Sequence, residues 1–382
     1  MNKKILIFFP HNIFINSAGC HTRCWSLISF FEKLNFDIYF FSIKECDVYP
    51  WDDSDIEKSK KYFKNSLIIS KNNDYKNIFL KFAKENEISH VLINYYQYTD
   101  LINDDYFNNK VKICEIHDII EHNTYMYNKV SFMIKDSFNP NSKEKKIHQY
   151  SDKNILKYNF IEEKEIKNIK IENLNTLSRY DLVLCISDYE NNILKNNNIK
   201  NSLFFTYSKY DDSKYINEDN KQYIMDPIFV SSMNPFNLQS YFIMRDVLNF
   251  NFKINIIGNI SDYIDRKNKF NIFGRVDDLS LFYSKTKFSL CPIVSGTGTK
   301  IKIIDSMLNS TPVVVTDFSA KSTPIINGYN GFISKDWNDF EVKSKELYSN
   351  KELLLKFSKN SKISIMEYIS FEKNKKNILD YI

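Results

Sequence analysis

The stretch "FSLCPIVSGTGTKIKIIDSML", residues 288–308, decides the fold class of this chain. An apolar run at 288–294 ends in a loop with two glycines, Gly296 and Gly298, and a segment with helical spacing follows at 299–309. A strand, a glycine turn and a helix in this order place backbone N–H groups and the positive end of a helix dipole at the carboxyl end of the strand. The stretch therefore predicts part of an α/β domain with a site for an anion, such as phosphate, at the turn.

A lysine at the start of the predicted helix supports this anion site. A cation is unfavourable beside the positive end of the dipole, and a bound anion removes that penalty, so Lys300 is expected to bind phosphate. A tight turn with solvated lysines is the purely structural alternative. The loop lacks the Gly-Lys pair of a P-loop, and Ile301 stands where a dinucleotide-binding motif has its third glycine. Asp317 at the end of the next predicted strand keeps an NAD-linked oxidoreductase open.

Short apolar runs recur along the chain, with segments of helical spacing between most of them. The runs predict strands at 4–10, 37–43, 66–70, 90–96, 111–118, 182–187, 227–232, 252–258, 270–274, 288–294, 311–317 and 331–334. The spacing predicts helices at 20–34, 74–86, 236–249, 277–285, 299–309 and 337–363. Several runs are apolar without alternation, which is typical of strands buried on both faces. The repeated alternation of strand and helix predicts two doubly wound α/β domains.

The domain boundaries are expected where the apolar pattern lapses. We predict a first domain at 1–207, a polar linker at 208–226 and a second domain at 227–365. The charged region 119–180 has too few apolar residues for a core of its own, so we expect a helical excursion on the first domain.

Composition excludes several classes of function. The 382 residues carry a net charge of +5, with 43% hydrophobic and 26% charged residues, which is ordinary for a globular protein. This charge suits an anionic ligand but is too diffuse to indicate nucleic acid. The N-terminal apolar run is short and followed by Pro10, which does not indicate a signal peptide, and no run reaches 18 apolar residues. Cys114, Cys185 and Cys291 lie in apolar runs and are expected to be reduced, which favours the cytoplasm.

Several segments together resemble the GT4-type glycosyltransferases (glycosyl transferases group 1). The segment "CPIVSGTGTKIKIIDSMLNSTPVVVTDFS" (291–319) is similar to the donor-site signature of that family. The segments at 228–248 and 270–292 resemble the opening strand and turn of the family's second domain and its G-x-V-x-D-L-x-x-x-Y segment. In the first domain, 115–119 and 174–194 match the family's His-Asp loop and its A-D-x-V-x-x-I-S-x-x-E segment.

The resemblance implies a fold and an activity. The fold is GT-B, with two Rossmann-like domains facing a cleft and a C-terminal helix at 366–382 that packs back on the first domain. The activity is transfer of a sugar from a UDP- or GDP-sugar to a glycan or lipid-linked acceptor, with retention and without a metal or other cofactor. The expected setting is bacterial surface polysaccharide or glycoconjugate synthesis, in the cytoplasm or peripherally on the inner face of the cell membrane. No nucleic-acid partner is expected.

Two other functions stay open besides the oxidoreductase. A non-catalytic sugar-nucleotide-binding protein is one alternative, because the turn at 231–237 lacks the cation that the family often carries there. A sugar-nucleotide 2-epimerase is the other, although that enzyme would be expected to carry more acids in both domains.

The resemblance places the donor site in the second domain. Its residues are Asn234, Gly296, Thr297, Gly298, Thr299, Lys300 and Asp305. Lys300 would bind the diphosphate and is assigned to catalysis, and Asp305 stands where the family has a glutamate for the ribose hydroxyls. Thr297 replaces a second family acid, so the sugar must be recognised there by a hydroxyl or by the backbone. Lys302 either pairs with Asp305 or joins Lys300 in supplying positive charge.

In the first domain, the resemblance points to four residues. His117 would face the donor sugar and is assigned to catalysis, and Asp118 follows it. Gly19 opens a helix where the family has a glycine-containing loop, and Arg23 would reach an acceptor or a phosphate. Cys20 lies near His21 and Cys24, but no second pair of ligands follows at a useful spacing, so no metal site is predicted.

Overall fold

The computed structural model of the protein describes residues 3–15, 19–45, 49–71, 74–134, 149–172, 174–206, 215–264 and 269–382. The β-strands in these ranges are β1 (Lys4–Phe8), β2 (Asp37–Ile43), β3 (Asn65–Ile69), β4 (His90–Asn94), β5 (Val111–Ile116), β6 (Leu182–Cys185), β7 (Ser202–Phe204), β8 (Ile228–Val230), β9 (Ile254–Ile257), β10 (Phe270–Gly274), β11 (Ser289–Cys291), β12 (Val313–Thr316) and β13 (Gly331–Ser334).

The α-helices in the same ranges are α1 (Gly19–Lys33), α2 (Asp53–Tyr62), α3 (Tyr75–Glu85), α4 (Ile120–Ser131), α5 (Glu163–Lys167), α6 (Leu174–Leu177), α7 (Asp188–Asn196), α8 (Pro235–Asp246), α9 (Ser280–Tyr283), α10 (Ile301–Leu308), α11 (Asp317–Ala320), α12 (Trp337–Ser349), α13 (Lys351–Tyr368) and α14 (Phe371–Ile378). Short 3₁₀ helices lie at Ile13–Ile15, Tyr96–Ile102, Asp105–Phe107, Lys153–Leu156, Glu218–Asn220 and Asn259–Asp262.

The first seven strands form one parallel sheet. Their order is β3-β2-β1-β4-β5-β6-β7, and Ile5 of β1 pairs with Ile38 of β2 on one side and with His90 of β4 on the other. Every residue of β4 and β6 is buried, as expected where a parallel sheet is covered on both faces. The winding reverses between β1 and β4, which makes that point the topological switch point of the sheet.

The other six strands form a second parallel sheet. Their order is β10-β9-β8-β11-β12-β13, and Ser289 of β11 pairs with both Val313 of β12 and Ile228 of β8. The switch point of this sheet lies between β8 and β11. The loops that leave the carboxyl ends of these two strands are the turn at 231–234 and the glycine loop at 292–300, where a ligand of a doubly wound domain usually binds. The predicted pair of doubly wound domains is confirmed.

The chain divides into two compact units, each with one of the sheets. The first unit consists of Met1–Ile119, Ile171–Tyr210 and Ile369–Ile382, so the C-terminal helix α14 belongs to it. Phe371 packs against Phe30 with ring centroids 5.3 Å apart, and Ile378 is fully buried in the first core. The expectation that the C-terminal helix packs back on the first domain is therefore confirmed.

The charged region after β5 belongs to the other unit. The second unit consists of Ile120–Lys170 and Asp211–Tyr368, whereas we predicted the excursion on the first domain. The reason is the few apolar residues that the region does contain. Val130, Ile155 and Phe160 are buried in the same core as α8, so the excursion covers a face of the second sheet's helices instead of forming a core of its own.

Local differences from the prediction have local causes. The predicted helix at 337–363 is two helices, because Asn350 ends α12 and its Oδ1 accepts a hydrogen bond (3.0 Å) from the N–H of Leu353 at the start of α13. Strand β7 was not predicted, because three residues carry no periodic signal. The predicted helix at 277–285 is reduced to the single turn of α9.

Half of the predicted linker is bound to the second unit. Residues 207–214 lie outside the described residues, but Lys221 is 9% exposed and its Nζ donates to Thr311 Oγ1 (2.8 Å) and to the Tyr283 carbonyl. Burial lowers the pKa of Lys221 to about 7. The chain is therefore already packed against the second unit at Lys221, before the predicted end of the linker at residue 226.

The predicted core thiols are confirmed, since Cys114, Cys185 and Cys291 are buried and unpaired. In the described part of the chain, no helix combines the length and the apolar character needed to cross a bilayer.

A glycine fixes the approach of the two loops beside the second switch point. Gly258 follows β9 with φ +116° and ψ 175°, a backbone conformation that only glycine adopts readily. A Cβ atom on Gly258 would lie 2.1 Å from the carbonyl oxygen of Ser231. The loop after β9 also binds the turn at 231–234, because Asn259 Oδ1 accepts a hydrogen bond (2.7 Å) from the N–H of Met233.

We expect Gly258→Ala to lower the free energy of unfolding by at least about 3 kcal/mol, since it adds a backbone clash to an unfavourable φ. Gly328→Ala is the matched control. Gly328 has φ +76° but open space around a Cβ atom, so about 1–2 kcal/mol is expected. Urea unfolding of both variants measures the difference, and equal destabilisation would contradict the close approach.

Candidate functional site

The glycine loop leaves β11 in a conformation that requires its two glycines. Gly296 has φ +106° and Gly298 has φ +63°, both in the left-handed region that disfavours other residues. A Cβ atom on Gly296 would also lie 3.2 Å from the ring of Phe236 at the start of α8. The turn and its glycines thus have the predicted position, between a strand and a helix at the switch point.

Side chains on both flanks hold this loop in place. Ser295 Oγ donates to Gln239 Oε1 of α8 at 2.5 Å, and Thr299 Oγ1 lies 3.5 Å from the Ser322 carbonyl oxygen. Gln239 Nε2 in turn donates to the carbonyl of Ile155 at 2.8 Å, so the excursion after β5 supports the loop indirectly.

Helix α4 contacts the loop directly, which was not predicted. The N–H of Gly296 donates to Met126 Sδ at 3.2 Å, and Asn123 Nδ2 donates to Thr297 Oγ1 at 2.6 Å. One of the backbone N–H groups that we expected to face an anion is therefore already hydrogen-bonded. Sequence reasoning missed Asn123 and Met126 because it assigned their helix to the other domain, and no motif marks either residue.

Lys300 lies at the end of the loop, as the N-cap residue of α10. Its Nζ donates to the carbonyl oxygens of Thr297 (3.1 Å) and Gly298 (3.0 Å) and lies 5.4 Å from the ring centroid of Phe318. The ammonium group thus folds back over the glycine loop and places its charge on the predicted anion site.

Lys302 places a second ammonium group near the start of α8. Its Nζ donates to Asn237 Oδ1 at 2.7 Å and lies 4.7 Å from the ring centroid of Phe229. Burial lowers the pKa of Lys302 to about 8. Within the described ranges, Lys302 forms no ion pair with Asp305, so that alternative was wrong. Lys302 instead brings positive charge to the turn at 231–237, whose own sequence has none.

Asp305 lies one turn into α10 and is half-buried. Burial raises the pKa of its carboxyl group to about 7, and the charge of Asp305 contributes to raising the pKa of Tyr283, after burial as the main cause. A carboxyl group with so little hydration is stabilised by a hydrogen bond from any hydroxyl group that approaches it. Its role in binding ribose stays a prediction.

Asn234 has a defined structural role. It is the N-cap of α8, and its Oδ1 accepts a hydrogen bond from the N–H of Asn237 at 2.8 Å. The predicted contact of Asn234 with a donor stays a prediction. The fold thus brings Asn234, the glycine loop, Lys300 and Asp305 to one end of the second sheet.

In the first unit, His117 follows β5 and is 6% exposed. Its ring stacks on Tyr95 with centroids 4.5 Å apart, and its Nε2 has no hydrogen-bond partner among the described residues. Burial, helped by the charge of Arg23, lowers the pKa of His117 to about 3, so the imidazole is neutral at physiological pH. A neutral imidazole can exchange a hydrogen bond with a hydroxyl group but cannot supply a positive charge. Its catalytic role stays a prediction.

The structure contradicts the predicted role of Arg23. The guanidinium group is 2% exposed, and Nε and Nη2 donate to the two carboxylate oxygens of the fully buried Glu115 at 2.7 and 3.1 Å. Nη1 donates to the carbonyl of Thr206 at 3.0 Å. A buried carboxylate two residues before His117 requires a cation, which the sequence analysis overlooked. Arg23 therefore stabilises the first unit.

Two other predicted residues of this unit are more accessible. Gly19 is exposed at the start of α1, and Asp118 is half-buried.

The described residues contain no group of three or more histidine, cysteine, aspartate or glutamate side chains that could hold a metal ion. Aromatic rings surround the first switch point. The ring centroids of Phe9 and His117 lie 6.3 Å apart, and those of Tyr95 and His11 lie 6.0 Å apart.

Comparison with known proteins finds a family model that covers this part of the chain. Residues 229–350 match the family model "Glycosyl transferases group 1", a range that contains the glycine loop and both lysines. A curated relative is the uncharacterized glycosyltransferase MJ1178 of Methanocaldococcus jannaschii, 27% identical over 194 residues. The match covers 48% of this chain and 54% of that protein, so the chain spans about half the length of this relative.

Two solved structures share the whole fold. Anabaena Alr3699/HepE, in complex with UDP and glucose, has a TM-score of 0.65 at 10% identity and covers 99% of both chains. TarM has a TM-score of 0.66 at 11% identity, with 100% of this chain and 99% of that chain covered, and a structure of S. aureus TarM contains UDP and alpha-GlcNAc-glycerol. The fold is therefore GT-B, as expected.

We expect Arg23→Leu to lower the free energy of unfolding by about 3–5 kcal/mol, because it leaves the Glu115 carboxylate buried and unpaired. Adding Glu115→Leu should restore much of that loss, which urea unfolding of the single and double variants measures. An Arg23→Leu variant with normal stability but lost ligand binding would instead support the original prediction.

We expect Asp305→Asn to gain stability relative to the natural protein as the pH rises from about 4 to 7. The raised pKa means that the folded state binds this proton more tightly than the unfolded chain, so ionising Asp305 costs stability across that range. Asparagine removes the cost. Urea unfolding at pH 4.5, 6 and 8 measures the difference, and a difference that does not vary with pH would contradict the burial of the carboxyl group.

Proposed function

We propose that the protein is a glycosyltransferase that uses a UDP- or GDP-sugar as donor. The observation that carries the proposal is the glycine loop at the second switch point, with the ammonium groups of Lys300 and Lys302 beside it. A diphosphate needs positive charge and backbone room, and this end of the sheet supplies both. The family match over 229–350 and the bound UDP in two proteins of the same fold support the same ligand class.

The proposed reaction breaks the bond between the anomeric carbon of the sugar and a phosphate oxygen. Negative charge then grows on the departing phosphate, and Lys300, Lys302 and the N-terminus of α10 stabilise it. The acceptor hydroxyl forms the new bond on the same face of the sugar and gives its proton to a phosphate oxygen, so that the configuration is retained. The lysines supply the charge that a metal ion supplies in other transferases, and we propose that the reaction needs no metal.

The first unit is the proposed acceptor side. His117 has a neutral, buried imidazole whose Nε2 has no hydrogen-bond partner in the described part of the chain, which suits a hydrogen bond to a sugar hydroxyl. Gly19 and Asp118 lie at the start of α1 and after β5, respectively, at the carboxyl end of the first sheet. We propose a glycan or a lipid-linked acceptor at the inner face of the membrane, in the synthesis of a surface polysaccharide.

Removing the loop lysine tests the proposal. We expect Lys300→Ala to raise the dissociation constant of UDP or GDP by about 10- to 100-fold, the effect of losing a hydrogen bond to a charged group. Lys321→Ala is the matched control, since Lys321 lies 5.6 Å from the same Phe318 ring but outside the loop. Isothermal titration with UDP, GDP and NAD measures each constant.

Two outcomes would contradict the proposal. Binding of NAD without binding of UDP or GDP would favour the oxidoreductase. If the protein binds the donor but neither transfers its sugar nor hydrolyses it slowly, a non-catalytic binding protein is favoured. Equal binding by Lys300→Ala and the natural protein would show that Lys300 does not hold the diphosphate.

A further inference from the structure

Tyr95 has an unusual backbone conformation at the first switch point. It follows β4 directly, with φ +71° and ψ 119°. A positive φ is unfavourable for a residue with a Cβ atom and is an outlier for a bulky one, whereas glycine adopts it at little cost. Strained residues of this kind are concentrated at functional sites. A tyrosine at this position therefore points to a role of its side chain that glycine cannot supply.

The surrounding structure fixes this conformation from both sides. Asn94 is fully buried, and its Nδ2 donates to the carbonyl of Phe8 at the end of β1 (2.8 Å). The N–H of Tyr95 donates to the Glu115 carbonyl (2.9 Å), and the Tyr95 carbonyl accepts the N–H of Tyr98 (3.1 Å). None of these bonds uses the side chain of Tyr95. They determine the path of the chain but do not explain why the residue is a tyrosine.

The side chain of Tyr95 stacks on the imidazole of His117. The two ring centroids are 4.5 Å apart and the ring planes differ by 30°. Phe9 lies 6.2 Å from Tyr95 and 6.3 Å from His117, so the three rings form one cluster. A stacked ring covers the face of the imidazole, whereas the hydrogen bonds of its nitrogens lie in the ring plane. The stack therefore restrains the imidazole without using Nε2, which has no hydrogen-bond partner among the described residues.

The cluster also keeps the imidazole neutral. Burial is the main cause that lowers the pKa of His117 to about 3, and the Tyr95 ring contributes to this burial because it covers one face. Three groups that can carry positive charge add to the lowering, namely Arg23 and His21 on α1 and His11 after β1.

The other ionisable neighbours do not offset this lowering. The carboxylate of Glu115 is paired with Arg23. Burial raises the pKa of the Tyr95 hydroxyl well above its usual range, and Cys20 and Asp118 add to that rise. Tyr95 and His117 are therefore both uncharged at physiological pH.

We propose that Tyr95 is a positioning residue for His117. Its positive φ places the phenol ring flat on the imidazole, so that Nε2 keeps one direction in which to meet a sugar hydroxyl. The inference rests on the proposed function, in which His117 forms that hydrogen bond. A hydrogen bond contributes to catalysis only when its geometry is held in advance, and the stack holds the imidazole before the substrate arrives.

Removing the ring from the intact protein tests the proposal. Tyr95→Gly keeps the backbone path, because glycine accepts a positive φ, and therefore isolates the effect of the ring. With UDP-glucose and GDP-mannose as probes and water as acceptor, we expect kcat of donor hydrolysis to fall about 10-fold or more, with KM within about twofold. Tyr95→Phe keeps the stacked ring and should restore most of the rate.

A double variant separates positioning from a general loss of structure. If Tyr95 acts through His117, Tyr95→Gly should lower kcat in the natural protein but have little further effect in a His117→Gln background. Circular dichroism and urea unfolding check that each variant is folded. If Tyr95→Gly does not fold, Tyr95→Leu replaces it, since leucine fills much of the volume but cannot stack.

Histidine NMR gives a readout that does not depend on activity. The Cε1–H resonance of His117, assigned by its loss in His117→Gln, should not titrate between pH 5 and 8 in the natural protein or in Tyr95→Phe. In Tyr95→Gly the imidazole is more hydrated, so its pKa should move towards the usual value of about 6.5. Protonation removes the acceptor at Nε2, so kcat of Tyr95→Gly should fall further as the pH drops from 7 to 5.5.

Three results would overturn the proposal. If Tyr95→Gly lowers kcat by the same factor with and without His117, or leaves the His117 resonance unchanged, Tyr95 does not act through the imidazole. If Tyr95→Phe is as slow as Tyr95→Gly, the hydroxyl and not the stacked ring is responsible. If the natural protein neither transfers nor hydrolyses either donor, the proposed function fails before any variant is made, and the stack has only a structural role.

Discussion

The backbone between Ser295 and Lys300 turns through two glycines in the left-handed region, and the second unit is assembled around that turn. Strand β11 ends at the switch point, and a Cβ atom on Gly296 would lie only 3.2 Å from the ring of Phe236. The Lys300 ammonium bonds to the carbonyls of the turn itself. Each neighbour thus depends on a backbone path that only glycine allows at low cost, and this explains why a chain with so few glycines keeps two of them there.

The electrostatics of this end of the sheet follow from burial. Lys302 and Asp305 lie on the same helix but find different surroundings, and burial moves both pKa values towards neutrality, to about 8 and about 7. Neither residue is neutralised by the other, so each keeps an interaction to offer to a ligand. In the first unit the opposite arrangement holds, since Arg23 and Glu115 form a buried ion pair. Opposite charges are therefore unpaired with each other in the second unit and paired with each other in the first.

The fold could be predicted well because buried parallel strands appear in the sequence as apolar runs. The glycine loop could be predicted because glycine is rare in this chain. Strand β7 escaped because three residues carry no pattern. The prediction for Arg23 was wrong because it used only the position of Arg23 near the start of a helix. That position does not reveal its partner Glu115, which lies on a strand. The excursion was misplaced because its apolar residues, such as Val130 and Phe160, are too few to show which core they complete. Asn123 was missed for the same reason, since only the docking of α4 brings it to Thr297.

The second unit is discontinuous in sequence, and this determines which fragments of the chain can fold. Its core is closed only when residues 120–170 are added to residues 211–368. A fragment that starts at the linker would lack Tyr158 on the ends of β12 and β13 and would expose the apolar face of α8 to water. Exchanging C-terminal halves between related chains would likewise separate the glycine loop from helix α4, which contacts it through Asn123 and Met126. In this chain the natural module for such an exchange is two segments, interrupted by the end of the first sheet.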